Sequence, residues 1–193
     1  TNFTDVGIYT SADTVCSDST WVDVYPAGGQ WDTLTGQATI AQIDSNYFAF
    51  SDLNQGVNEF VYAVNSEGCM YYDTLRLVNN SVQLFAGNDT TTCDTTLQLN
   101  AQVSNADSLE WYVASGSANI AQANKDTTRL DVWDGEAVIV LDAWNNYCYA
   151  TDSVKVTSQY KDIEIQPHQD TLCTGDSAFA DVYPEGGSWQ TTP

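Results

Sequence analysis

Five cysteines, Cys16, Cys69, Cys93, Cys148 and Cys173, divide the chain into intervals of 53, 24, 55 and 25 residues. A strict long-short alternation of this kind is an internal repeat, and a repeat constrains a fold more than composition can, because every copy must adopt the same structure. With a period of about 79 residues, the chain holds two copies and the opening of a third.

Other residues keep the same register. Trp31, Trp111 and Trp189 follow the first cysteine of their copies by 15, 18 and 16 residues. Gly56 and Gly135 each stand 13 residues before the second cysteine. "VYPAGGQW" at Val24–Trp31 returns as "VYPEGGSW" at Val182–Trp189, and "GQATIAQ" at Gly36–Gln42 is answered by "GSANIAQ" at Gly116–Gln122. The expected units are therefore residues 1–80, 81–159 and 160–193, the last a truncated copy, which reads as a piece of a longer repetitive protein.

Within each unit, apolar residues alternate. Phe60, Tyr62 and Val64 occupy the places of Ile139, Leu141 and Ala143, and Leu75 and Leu77 those of Val154 and Val156. Period-two runs separated by Gly, Asn, Asp and Pro clusters predict an all-β chain of tandem immunoglobulin-like antiparallel sandwiches. The matched long intervals predict one disulfide in each unit, Cys16 to Cys69 and Cys93 to Cys148, with the partner of Cys173 outside the sequence. Such bonds place the protein outside a reducing cytosol. Trp31, Trp111 and Trp189 are expected in the cores, each delivered by a hairpin-like turn such as "VYPAGGQW".

Only five lysines and arginines oppose 26 acidic residues, a net charge of −21. A surface so acidic argues against nucleic acid and anionic lipid as partners. No run of 18 apolar residues predicts membrane insertion, and no stretch reads as a signal peptide, so secretion is inferred from the cysteines.

The run "AGNDTTTCDTTLQLNAQV", the tryptophan near "SGSANI", and an ending of glycine, alternating apolar residues, cysteine and Asp-Thr or Asp-Ser together resemble repeats of giant Bacteroidota surface adhesins. Those repeats are immunoglobulin-like or PKD-like, and the adhesins include gliding-motility proteins carried by the type 9 secretion system. The resemblance implies a secreted, cell-surface, structural and adhesive stalk or filament with neighbouring repeats as first partners. The links between units, "NNS" at Asn79–Ser81 and "TSQYKD" at Thr157–Asp162, are short, so the array is expected to be semi-rigid. Open edges on strands such as "EAVIVLDAW" would let further chains join a filament. A cell-surface or glycan ligand would be bound by other regions. The alternative is an accessory or glycan-binding region of a secreted polysaccharide-degrading enzyme. The family also implies O-glycosylation at Asp-Ser/Thr triplets, with acceptors Thr14, Ser19, Thr33, Thr74, Thr90, Thr95, Ser108, Thr127, Ser153, Thr171 and Ser177. Asp-Thr and Asp-Ser also begin turns well, which is the plainer reading of the same pattern.

No enzyme activity or cofactor is expected. His168 has no marked nucleophile beside it, and no C-x-x-C spacing supports zinc. Asp131, Asp134 and Glu136 surround a glycine turn and form the weak calcium candidate, although the matching stretch of the first copy keeps only Asp52 and Glu59. Tyr71, Tyr72, Trp144 and Tyr147 gather near the second cysteines as a candidate sugar platform.

Overall fold

The computed structural model describes residues 5–133, 135–168 and 171–190, and among these the regular structure is strand throughout. The first strands are β1 (Gly7–Thr10), β2 (Thr14–Val15), β3 (Thr20–Tyr25), β4 (Gln30–Thr35), β5 (Thr39–Gln42), β6 (Tyr47–Ser51), β7 (Gly56–Ser66) and β8 (Cys69–Asn79). They form two four-stranded sheets, ordered β1-β3-β6-β5 and β2-β8-β7-β4. Pairing is antiparallel except for β2, which runs parallel to the end of β8 with Thr14 opposite Val78 and Val15 opposite Asn79.

The alternation read from the sequence fixes which face of each sheet is dry. Val22 and Val24 of β3, Phe48 and Phe50 of β6, Phe60, Tyr62 and Val64 of β7, and Leu75 and Leu77 of β8 join one buried cluster. Each such side chain contributes about 1.5–3 kcal/mol on leaving water. Trp31 packs on this cluster half-buried, its ring 5.0 Å from those of Phe50 and Tyr62.

The next strands are β9 (Gln83–Phe85), β10 (Thr90–Thr92), β11 (Thr96–Asn100), β12 (Gln102–Ser104), β13 (Ser108–Ser115), β14 (Ala118–Ile120), β15 (Thr127–Val132), β16 (Gly135–Trp144) and β17 (Tyr149–Ser158). One sheet, β10-β17-β16-β13, repeats β2-β8-β7-β4 strand for strand, including the parallel edge. The facing layer is β11-β15-β14 with β9-β12 beside it. Here β11 and β12 together occupy the place of β3, interrupted at Ala101. Trp111 is fully buried among Leu130, Val132, Ile139 and Leu141. Its backbone lies opposite Leu141, as that of Trp31 lies opposite Tyr62, so the two tryptophans are equivalent.

Finally, β18 (Glu164–Pro167) pairs with β19 (Ala180–Tyr183) as β1 pairs with β3. Lettered in chain order, β1, β3, β6 and β5 are the A-B-E-D layer of an immunoglobulin-like fold, and β4, β7 and β8 are its C-F-G layer with β2 added at the edge.

Two expectations are corrected. "VYPAGGQW" is not a hairpin, because β3 and β4 belong to different sheets; the Pro26–Gly29 turn carries the chain from one layer to the other. Gly29 fits this crossing because a Cβ there would lie 2.5 Å from the Tyr62 ring, whose hydroxyl accepts the Gly29 N–H at 2.8 Å. Trp189 is not a core residue here: it is 69 % exposed. Among the described residues, the third copy has only the β18–β19 hairpin, so no opposing layer covers that ring.

Candidate functional site: the joint between the strand groups

Three residues separate β8 from β9, and they are held from both sides. Asn79, almost fully buried, donates from Nδ2 to the Leu53 carbonyl at 3.0 Å and accepts the Ser81 N–H at 3.0 Å. Gln55 donates from Nε2 to the carbonyls of Asn79 and Ser81 at 3.1 and 3.2 Å. The Asn80 N–H reaches back to the Val15 carbonyl at 2.9 Å.

From the other side come Asn105, just after β12, and Asn145, in the turn between β16 and β17. Both donate from Nδ2 to the Asn80 carbonyl at 3.0 Å. Asn105 also donates to the Ser81 carbonyl at 3.0 Å, and Asn145 to the Asn105 carbonyl at 2.8 Å. The Asn145 Oδ1 accepts the N–H groups of Tyr147 and Cys148, shaping the turn. A carboxamide suits each place because it can donate and accept at once.

A covalent bond closes the joint: Cys16 is disulfide-bonded to Cys148, with their Cα atoms 5.3 Å apart. The expected pairs Cys16–Cys69 and Cys93–Cys148 are therefore corrected, and Cys69, Cys93 and Cys173 are free and exposed. Strand geometry gives the reason. Because β2 lies parallel along the end of β8, Cys16 is level with Asn80, whereas Cys69 begins β8. Eleven residues of strand at about 3.3 Å each put about 36 Å between those levels, far beyond the reach of a disulfide. Cys93, at the end of β10, is separated from Cys148 by β17 in the same way. The observed bond has a sequence separation of 132, and closing such a loop stabilises by about 5 kcal/mol in the chain-entropy treatment.

Two of the repeated Asp-Thr/Ser pairs have a structural task. Asp73, in β8, accepts the Ile8 N–H on Oδ2 at 3.0 Å and the Thr74 N–H on Oδ1 at 2.8 Å. Asp152, in β17, does the same for Ala86 and Ser153, both at 2.8 Å. Each carboxylate thus ties the first strand of one layer to the last strand of the other. Of the eleven acceptors, Thr14 and Thr127 are half-buried and the other nine are exposed.

The calcium candidate is not assembled among the described residues. Asp131 pairs with Arg129 at 2.9 Å and Glu136 with Lys155 at 3.2 Å, while Asp134 lies outside the described residues. No group of three or more metal-ligating side chains occurs among the described residues. His168 meets Asp181 at 2.9 Å on an exposed hairpin. The four aromatic residues do not form one platform. Tyr71 packs on the first core and Tyr72 points outward near Cys69, while Trp144 and Tyr147 lie at the joint end of the second group. Next to them, a hydrogen bond with the Asp142 carboxylate raises the pKa of the Tyr149 phenol above its usual value.

Sequence reasoning noted that the link is short but did not single out Gln55, Asn80, Asn105 or Asn145. The one available signal was asparagine clustered at the link and at the second-cysteine turn.

No protein-family model and no curated protein matches the chain. Among solved structures, a chimeric titin Z1Z2–Z1Z2 tandem carrying a fibronectin peptide is similar at 12 % identity and a TM-score of 0.34, over 79 % of this chain and 100 % of that one. The titin domains Z1Z2 in complex with telethonin are similar at 12 % identity and a TM-score of 0.30, covering 83 % and 100 %. An endo-fucoidan hydrolase from glycoside hydrolase family 107 gives 12 % identity and a TM-score of 0.34, over 83 % of this chain and 30 % of the hydrolase.

Proposed function

We propose that the chain is a structural repeat segment of a long secreted cell-surface adhesin or extracellular filament, in which tandem immunoglobulin-like units act as a semi-rigid stalk. The observation that carries this reading is the joint. A three-residue link whose carbonyls are held by Gln55, Asn105 and Asn145, closed by the Cys16–Cys148 bond, leaves the two strand groups little freedom to swing. A hinge would be built from unpaired, small and polar residues.

A disulfide supports a location outside a reducing cytosol. The exposed Asp-Ser/Thr acceptors are accessible to an O-glycosylating enzyme. The adhesive role and the Bacteroidota origin rest on the sequence resemblance. The segment itself carries no reaction and needs no cofactor; its partners are neighbouring repeats and further chains.

Small-angle scattering of the oxidised chain tests the stalk. The expected result is an elongated particle whose profile fits one fixed arrangement of the two strand groups. A profile that needs a broad ensemble of bent arrangements would sink the reading.

A further inference from the structure

Cys93 stands at its strand end in the same way as Cys16. The residue before Cys16 accepts the Asn80 N–H at 2.9 Å, and the residue before Cys93 accepts the Gln159 N–H at 2.8 Å. Asn80 and Gln159 each follow the last residue of β8 and β17 respectively, and β2 and β10 are the matching parallel edges. At one end of the second strand group, then, a first cysteine is bonded to a second cysteine from the group that follows it. At its other end an equivalent first cysteine lies exposed and free. Cys69 is the mirror case: it follows the β7–β8 turn as Cys148 follows the β16–β17 turn, and it too is exposed and free.

We infer that Cys93 is a disulfide site whose partner is the second cysteine of the next copy of the repeat, the residue placed 53 to 55 positions after Cys173 by the spacing of the two earlier copies. Cys69 is the corresponding acceptor for the first cysteine of a preceding copy. The cysteines are then not one staple per unit but a staggered ladder, each bond spanning a joint. The β18–β19 hairpin, paired as β1 and β3 are, shows that a further copy begins within a few residues of Cys93's end of β17. Bond formation is an exchange: the two thiols lose two protons and two electrons to a small disulfide such as oxidised glutathione, which leaves as two thiols. This inference rests on the tandem-repeat part of the reading above and not on adhesion. It is read by peptide mapping, whereas the stalk is read by scattering, so either can fail alone.

The test completes the third copy. The full chain is extended with a second copy of its own residues 36–80, which carries the equivalent of Cys69, and refolded in a glutathione buffer. It is then alkylated and mapped without reduction. The expected map joins Cys93 to the added cysteine, keeps Cys16 joined to Cys148, and leaves only Cys69 and Cys173 alkylated, where the unextended chain has three free thiols. The Cys16–Cys148 bond in the same molecules reports that the rest has folded. A second version, extended with residues 116–159 and its Cys148, guards against a graft that folds poorly. Cys93 alkylated in both versions, or the added cysteine joined to Cys173, overturns the ladder.

Discussion

At the scale of single residues, cysteine chemistry and tryptophan packing make different demands. A disulfide needs its two Cα atoms within about 7 Å, and Cys16 and Cys148 meet this although 132 positions separate them. Alkylation of the oxidised chain is therefore expected to modify Cys69, Cys93 and Cys173, with a single cross-linked peptide carrying Cys16 and Cys148. A map with Cys16 joined to Cys69 would contradict the parallel placement of β2. Trp111 is 2 % exposed and donates its indole N–H to the Lys125 carbonyl at 2.8 Å, so Trp111→Ala removes both packing and a hydrogen bond. The expected cost is about 3–5 kcal/mol, read as a lowered urea midpoint for the second strand group. Trp31 is only half-buried, and its indole N–H has no hydrogen-bond partner among the described residues; Trp31→Ala should cost clearly less. The sequence spacing marked these two positions as equivalent, but it could not show that one ring would be sealed among aliphatic side chains and the other left at the margin of an aromatic group.

At the scale of elements, strands were legible because alternation is a local property. Phe60, Tyr62, Leu75, Leu77, Ile139, Leu141, Val154 and Val156 are all buried, as their period required. Pairing is not local. Two residues of β2, Thr14 and Val15, show no periodicity, yet their parallel contact with Val78 and Asn79 decides which end of the unit Cys16 occupies. For the same reason "VYPAGGQW" read as a hairpin: its turn residues are plain in the sequence, but which sheet receives the following strand is not. The joint asparagines were equally hidden, since their partners are backbone carbonyls that any residue could supply. The aspartates of β8 and β17 offer a test at this scale. Asp73→Ala leaves the half-buried Ile8 N–H without its acceptor. The expected loss is about 1–3 kcal/mol, with amide exchange at Ile8 speeding up more than at Phe60 in the centre of the sheet. Uniform acceleration across both strands would show that Asp73 does not tie β1 specifically.

At the scale of the whole molecule, one feature determines how the chain would bear a load. A pull applied to its two ends does not run through every residue. It enters along the backbone to Cys16, crosses the disulfide, and leaves from Cys148. The 131 residues between them (148 − 16 − 1) lie off that line of force. Fully drawn out they would span about 450 Å, all of it withheld while the bond is intact. Single-molecule stretching of the oxidised chain should therefore lack the long extensions expected of unfolding strand groups, and a thiol reductant should release them. Equal extension with and without reductant would remove the mechanical role of the bond. The covalent crossing makes the segment behave under tension less like a string of unfolding beads than like a short tether whose slack is locked away.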